Sequence, residues 1–185
     1  METKANAIRV YEKESAAGKV DFICKNYSNF LGIIDSYTEG IRYMIEEEKA
    51  MSFRDSAGDV GIRVQKSGTS DPTARQAISN VITREAIVTC NFSGGVLDGV
   101  ENPDRYIRDA VLLRQMRKHY ELFNTQIRSL TKSEQKFFLN YLQYEKKLSD
   151  LADEEGIGYD SLCQKVNKTK KKVKVLMVAF LEGSY

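Results

Sequence analysis

The apolar positions of this chain fall into helical periods over most of its length. Between residues 19 and 51, Val20, Ile23, Tyr27, Phe30, Ile34, Tyr37, Ile41 and Met44 recur at alternating spacings of three and four. An α-helix turns every 3.6 residues, so this spacing lays all eight side chains along one seam. The pattern predicts a long helix that belongs to a coiled coil or a helical hairpin. Gly32 and Gly40 fall inside it, and each costs about 1 kcal/mol of helix stability relative to alanine. The helix is therefore weaker there or packs closely. Aromatic side chains at seam spacing read as core; stacking on bases is the alternative reading of the same positions.

A connector follows, from about Ser52 to Asp71, rich in Ser, Gly and Asp. Val60, Ile62 and Val64 alternate in it, as in a short strand or a tacked-down loop. A structureless stretch of that length inside a compact domain is unusual, and points to disorder or to function. Asp71 and Pro72 then open a second helix. The aspartate can accept from exposed N–H groups and the proline suits the first helical position. That helix is expected to run to about Thr89 with Ala74, Ala77, Ile78, Val81 and Ile82 inward, and Ala86 and Val88 less cleanly so, because Glu85 interrupts the face. It would be the antiparallel partner of the first helix. A third helix, from about Asp104 to Arg128, is started by Asn102 or Asp104 and repeats Met116, Tyr120, Phe123 and Ile127 along a seam.

The C-terminal part has shorter periods. Thr131-Lys132-Ser133-Glu134 is a capping box, and the helix after it buries Phe137, Phe138, Tyr141 and Leu142. A short helix over 146–155, a turn at Gly156-Ile157-Gly158 and a last helix from Tyr159 towards Phe180 complete the pattern. A helix-turn-helix needs a small residue where its helices cross, a glycine able to take positive φ in the turn, and apolar residues around both. Ala152, Gly156 and the set Leu148, Leu151, Ile157 and Leu162 supply these. Two positions depart from the pattern. Glu155 stands where an apolar residue is usual, and Lys165 where a buried one is expected, with Val166 taking that burial one residue later.

These periods imply an all-α fold. An N-terminal helical hairpin or coiled-coil-like bundle spans 1–128, with its connector at about 52–71, and a helix-turn-helix domain spans 129–185. The composition agrees: 185 residues, 42% hydrophobic and 29% charged, give enough apolar material for one domain or two small ones. Only Pro72 and Pro103 occur, which leaves room for long helices.

Catalytic chemistry has little to work with. His119 is the only histidine, and nothing in the pattern supplies the partner a general base needs. A structural or exposed histidine is the simpler reading. Nucleotide-binding, zinc-protease and nucleophile-elbow motifs are absent. Ser93-Gly94-Gly95 reads as a turn. Glu46-Glu47-Glu48 reads as a solvated helix end, because consecutive helical positions point in different directions and make a poor metal site. Cys24, Cys90 and Cys163 are few, odd in number and far apart, so neither a disulfide framework nor a zinc site is expected. No apolar stretch is long enough for a membrane span, and the charged N-terminus is unlike a signal peptide. The expectation is a cytoplasmic protein of bacterial or viral origin, without cofactor or metal and not an enzyme.

Charge is distributed unevenly. The formal net charge is only +2, yet residues 124–185 hold 11 basic against 8 acidic side chains while the preceding 123 hold 17 against 18. From Ser161 to Val175 there are six lysines and no acidic residue. On the last helix Leu162, Val166, Val173, Leu176 or Met177, and Phe180 would form the buried face. Ser161, Gln164, Lys165, Lys168, Lys171 and Lys172 would form the other, with Lys170 among the basic residues available for DNA. Lysines there can neutralise phosphates and release counterions, and Ser161, Gln164 and Lys165 near the helix start can reach base edges in a major groove.

Residues 130–174, LTKSEQKFFLNYLQYEKKLSDLADEEGIGYDSLCQKVNKTKKKVK, resemble the C-terminal helix-turn-helix of bacterial sigma factors. The likeness is greatest to that domain in small regulators of Gram-positive phages and mobile elements, of the ArpU and RinA kind. SGTSDPTARQAI (67–78) is similar to a segment between the coiled region and the C-terminal domain of such proteins. The resemblance implies a transcriptional regulator that binds duplex DNA specifically, with Ser161, Gln164, Lys165 and Lys168 facing the groove. A homodimer through the N-terminal seam, Val20 to Met44, would match paired half-sites, and RNA polymerase is a candidate protein partner. The alternative is a counter-defence protein of a mobile element that inhibits a host nuclease complex such as a CRISPR effector.

Overall fold

The computed structural model describes residues 7–57, 71–143 and 148–183. Among these the chain is all-α, with no strand. The elements are α1 (Ala7–Lys13), α2 (Ala16–Lys25), a 3-10 turn (Tyr27–Asn29), α3 (Phe30–Ala57), α4 (Pro72–Thr89), α5 (Pro103–Arg128), α6 (Lys132–Gln143), α7 (Leu148–Glu155) and α8 (Tyr159–Glu182). The alternating valines and isoleucine of the connector, Val60, Ile62 and Val64, lie outside the described residues.

The helix expected over 19–51 is two helices. It breaks at Asn26, whose backbone N–H and side-chain amide both donate to the Phe22 carbonyl, at 3.1 and 2.9 Å. Asparagine and serine compete with a helix's own hydrogen bonds in this way, and Asn26, Ser28 and Asn29 stand together here. α3 then continues to Ala57, through the first residues of the expected connector. Along the seam Val20, Ile23, Tyr27, Phe30, Ile34 and Ile41 are buried, while Tyr37 and Met44 are half-buried and Ile45 takes up full burial instead. These residues are core within a single chain, so this seam offers no surface for a homodimer.

The chain forms two compact units, one of residues 1–33 and 117–185 and one of 34–116. This division does not fall at 128/129, because α2 packs along α8 and the second half of α5 belongs with them. In the first unit, Phe30 stacks on Tyr120 with ring centres 5.2 Å apart. The Tyr27 hydroxyl donates to Asn124 Oδ1 at 2.7 Å. Tyr11, Phe123, Phe138, Leu162, Val173 and Met177 are buried.

The second unit is held differently. Ile34, Ile41, Ile45, Ile87, Tyr106, Leu113 and Met116 form its apolar core. α4 starts as expected, with Asp71 accepting from the Thr73 N–H at 2.9 Å, and ends at Cys90, which takes the left-handed conformation at φ 54°. Its facing is the reverse of the expected one except at Ala86, which is inward as expected. Ala74, Ala77, Ile78, Val81 and Ile82 are exposed, while Thr83, Ala86 and Ile87 are buried. The cause lies in α3. Glu46 accepts from Ser79 at 3.0 Å, from Gln76 at 3.3 Å and from Thr83. Arg84 donates to Glu39 at 2.8 Å. The bonds to Glu46 turn Ser79 and Thr83 inward, while Gln76 and Arg84 stay at the exposed edge. The Glu46-Glu47-Glu48 run is therefore no plain solvated helix end. Glu46 anchors α4, and Glu48 accepts from the Tyr106 hydroxyl and, at 3.2 Å, from the Glu101 N–H. Only Glu47 faces water.

Candidate nucleic-acid interface

The C-terminal helices are placed by local bonds written into the sequence. At the start of α6, Thr131 Oγ1 accepts from the Glu134 N–H at 3.3 Å, and Glu134 accepts from the Thr131 N–H at 3.2 Å. This reciprocal pair satisfies N–H groups that the first helical turn leaves unpaired. Gln135 reaches back to the carbonyls of Arg128 and Leu130 at 2.8 and 2.7 Å, which ties the start of α6 to the end of α5. Phe137, Leu151, Ala152, Leu162 and Val166 then form one buried cluster, with Tyr141, Leu148 and Ile157 packed against it.

Between α7 and α8 the chain turns at Gly156, where φ is +64°. A side chain there would meet no neighbouring atom, so the glycine is required by backbone conformation and not by space. The Ile157 N–H bonds the Ala152 carbonyl at 3.1 Å and the Gly156 N–H bonds Asp153 at 3.2 Å, closing α7 in the Schellman manner. Both departures noted in the sequence are accommodated. Glu155 points to solvent. Lys165 is half-buried with its ammonium 4.2 Å from the centre of the Phe137 ring, while Val166 is buried in the cluster. A lysine can take this position because its alkyl stem packs and its charge sits over an aromatic face.

α8 buries Leu162, Val166, Thr169, Val173 and Met177. Of the alternatives Leu176 and Met177, it is Met177 that is buried, while Phe180, expected on the same face, keeps 42% exposure. On the opposite side Ser161, Gln164, Lys168 and Lys171 are exposed. Their spacing of three, four and three puts them in one row. Asn167, three residues after Gln164, is exposed beside that row.

The other lysines are engaged within the chain. Asp21 on α2 holds Lys170 at 2.8 Å and Lys174 at 2.6 Å. Burial alone would raise the Asp21 carboxyl, but the hydrogen bonds from the two lysines outweigh it and hold the carboxyl below its ordinary value. Lys172 pairs with Glu134, and that ammonium, with help from Thr131, brings the carboxyl down to about 2. Of the seven residues named for DNA, the structure thus gathers four into an exposed row and turns Lys165, Lys170 and Lys172 to intrachain contacts. The sequence could not place α2 against α8, because more than a hundred residues separate them. Asp150, Asp153, Glu154 and Glu155 on α7 are exposed, so the positive field belongs to the outer row of α8 and not to its neighbour.

His119 lies apart from this row. Its Nδ1 is 2.8 Å from the Tyr11 hydroxyl, and burial, with the nearby Lys19 charge, lowers its pKa below the ordinary value. Burial likewise pushes the Cys24 thiol up to about 11. Among the described residues no cluster of His, Cys, Asp and Glu could hold a metal ion, and no helix is long and apolar enough to cross a membrane. Set against known protein families, curated proteins and solved structures, the chain finds no match.

Proposed function

We propose that the chain is a DNA-binding transcriptional regulator of a phage or mobile element, that α7 and α8 form its helix-turn-helix, and that α8 reads duplex DNA. One observation carries this reading: Ser161, Gln164, Lys168 and Lys171 stand in a single exposed row on the helix that follows the Gly156 turn. In such a motif the second helix lies in the major groove with its first turns at the base edges. Ser161 and Gln164 are near that end, and an amide can pair with adenine through two hydrogen bonds. Lys168 and Lys171, one and two turns further on, meet the phosphates, which position the protein without reading sequence.

Selection from a random duplex library tests the reading. The intact chain should enrich a shared motif, and Gln164→Ala should relax that motif at one position by about 1–3 kcal/mol. A library that is neither retained nor enriched would remove the DNA reading and leave a protein partner, such as a host nuclease complex, as the better account.

A further inference from the structure

α4 is inside out. Its inward side sets Ser79 and Thr83, bonded to Glu46, beside the buried Ala86 and Ile87, and a second apolar row faces outward. Ile78 is 60%, Val81 65% and Ile82 50% exposed, and Val88 40%. Ala74, Ile78, Val81, Glu85 and Val88 recur at four, three, four and three, a heptad seam facing away from the unit's own core. The bonds from Gln76, Ser79, Thr83 and Arg84 to α3 fix this rotation, so the helix cannot roll its apolar side inward without breaking them.

We propose that this face pairs with α4 of a second copy of the chain, the two helices running antiparallel. The seam repeats at the spacing that interlocks with another helix, and it is self-complementary in one direction only. In an antiparallel pair Ile78 meets Val81 of the second copy, and Glu85, the single charge in the seam, meets Ala74 with Arg75 beside it. A parallel pair would set Glu85 against Glu85, which is destabilising. The four large side chains offer roughly 400 Å² of apolar surface per copy, so the pair buries on the order of 1,000 Å² with its flanks, the lower limit for a specific interface. The dimer is accordingly weak, with a dissociation constant in the micromolar range. The inference is independent of the DNA-binding reading and survives its failure.

Sedimentation of the intact chain from about 1 to 200 µM tests it. The wild type should pass from monomer to dimer across that range. Val81→Glu should weaken association by about 10-fold or more, since the pair would bury its charge, with unchanged thermal melting at concentrations where the wild type is monomeric, because Val81 is 65% exposed in the single chain. Ile78→Gln is the milder second variant and should act in the same direction. Arg75→Glu and Glu85→Arg should each weaken the dimer, and the two together should restore it, which only an intermolecular antiparallel pair explains. A strict monomer throughout, association unaffected by Val81→Glu, or no rescue in the double variant would overturn the proposal. So would a loss of folding in both seam variants, which would mean that another part of the same chain covers the face.

Discussion

Asp21 of α2 and Lys170 of α8 form an ion pair at 2.8 Å, which fastens the N-terminal part of the chain to the helix that carries the exposed cationic row. With Lys174 at 2.6 Å on the other carboxylate oxygen, the contact is a three-member cluster at the edge of the α2–α8 packing. Each member stays partly in water, so the cluster contributes about 1 kcal/mol or less. Asp21→Asn should lower stability by that amount near neutral pH. The sign of the pH dependence follows from the lowered carboxyl. The contribution is complete above the ordinary carboxylate value and is lost as pH falls through it towards the folded-state value. Urea unfolding of wild type and variant should differ near neutrality and converge in acid.

His119 gives a second handle with the same sign, in a higher pH window. Burial lowers its pKa, so the unfolded chain takes up a proton before the folded one does. Stability is then complete above the ordinary histidine value of about 6.5 and falls as pH drops below it. The midpoint of urea unfolding should decrease between pH 7.5 and pH 5, and His119→Gln should remove part of that decrease. The imidazole resonance should titrate below the value for a free histidine.

Gly156 tests the turn. Open space surrounds it and only φ +64° constrains it, so Gly156→Ala should cost about 1 kcal/mol through the backbone alone. Ala152 tests the crossing beneath. It is 3% exposed within the α6–α7–α8 cluster, and Ala152→Leu should cost about 1–3 kcal/mol by overpacking. Chemical denaturation monitored by circular dichroism reads both.

Glu46 tests the reversed facing of α4. Removing its carboxylate leaves Ser79 and Thr83 without their acceptor in a half-buried setting. Glu46→Ala should cost about 1–3 kcal/mol, and Glu46→Gln, which keeps the shape and an acceptor oxygen, should cost less. Hydrogen exchange should then locate the loss in α4.

Most of the helices are legible in the sequence because each follows from a periodic pattern or a cap. The Thr131–Glu134 box, the Asp71 cap and the Gly156 turn are local statements, and each appears in the structure with its bonds formed. The break at Asn26 had a local signal too, in the asparagines and serine around Tyr27, but the heptad spacing ran through it undisturbed. The facing of α4 was not legible. Burial is a tertiary outcome, and the Glu46 carboxylate outweighed an apolar stripe that by itself points inward. The same limit applies to the site. Periodicity separates the two faces of α8, but only the fold reveals that Asp21 and Glu134 occupy Lys170 and Lys172 while Lys168 and Lys171 keep to the outer row.

That difference within one helix supplies the most direct test of the DNA-binding account. Binding of the intact chain to duplex DNA is measured across a salt series for wild type, for Lys168→Ala with Lys171→Ala, and for Lys170→Ala with Lys174→Ala. Each lost phosphate contact flattens the log–log salt slope by about 0.9. The account predicts a slope about 2 shallower for the outer pair and an unchanged slope for the pair held by Asp21. Equal losses from both pairs, or no binding at low salt, would contradict it.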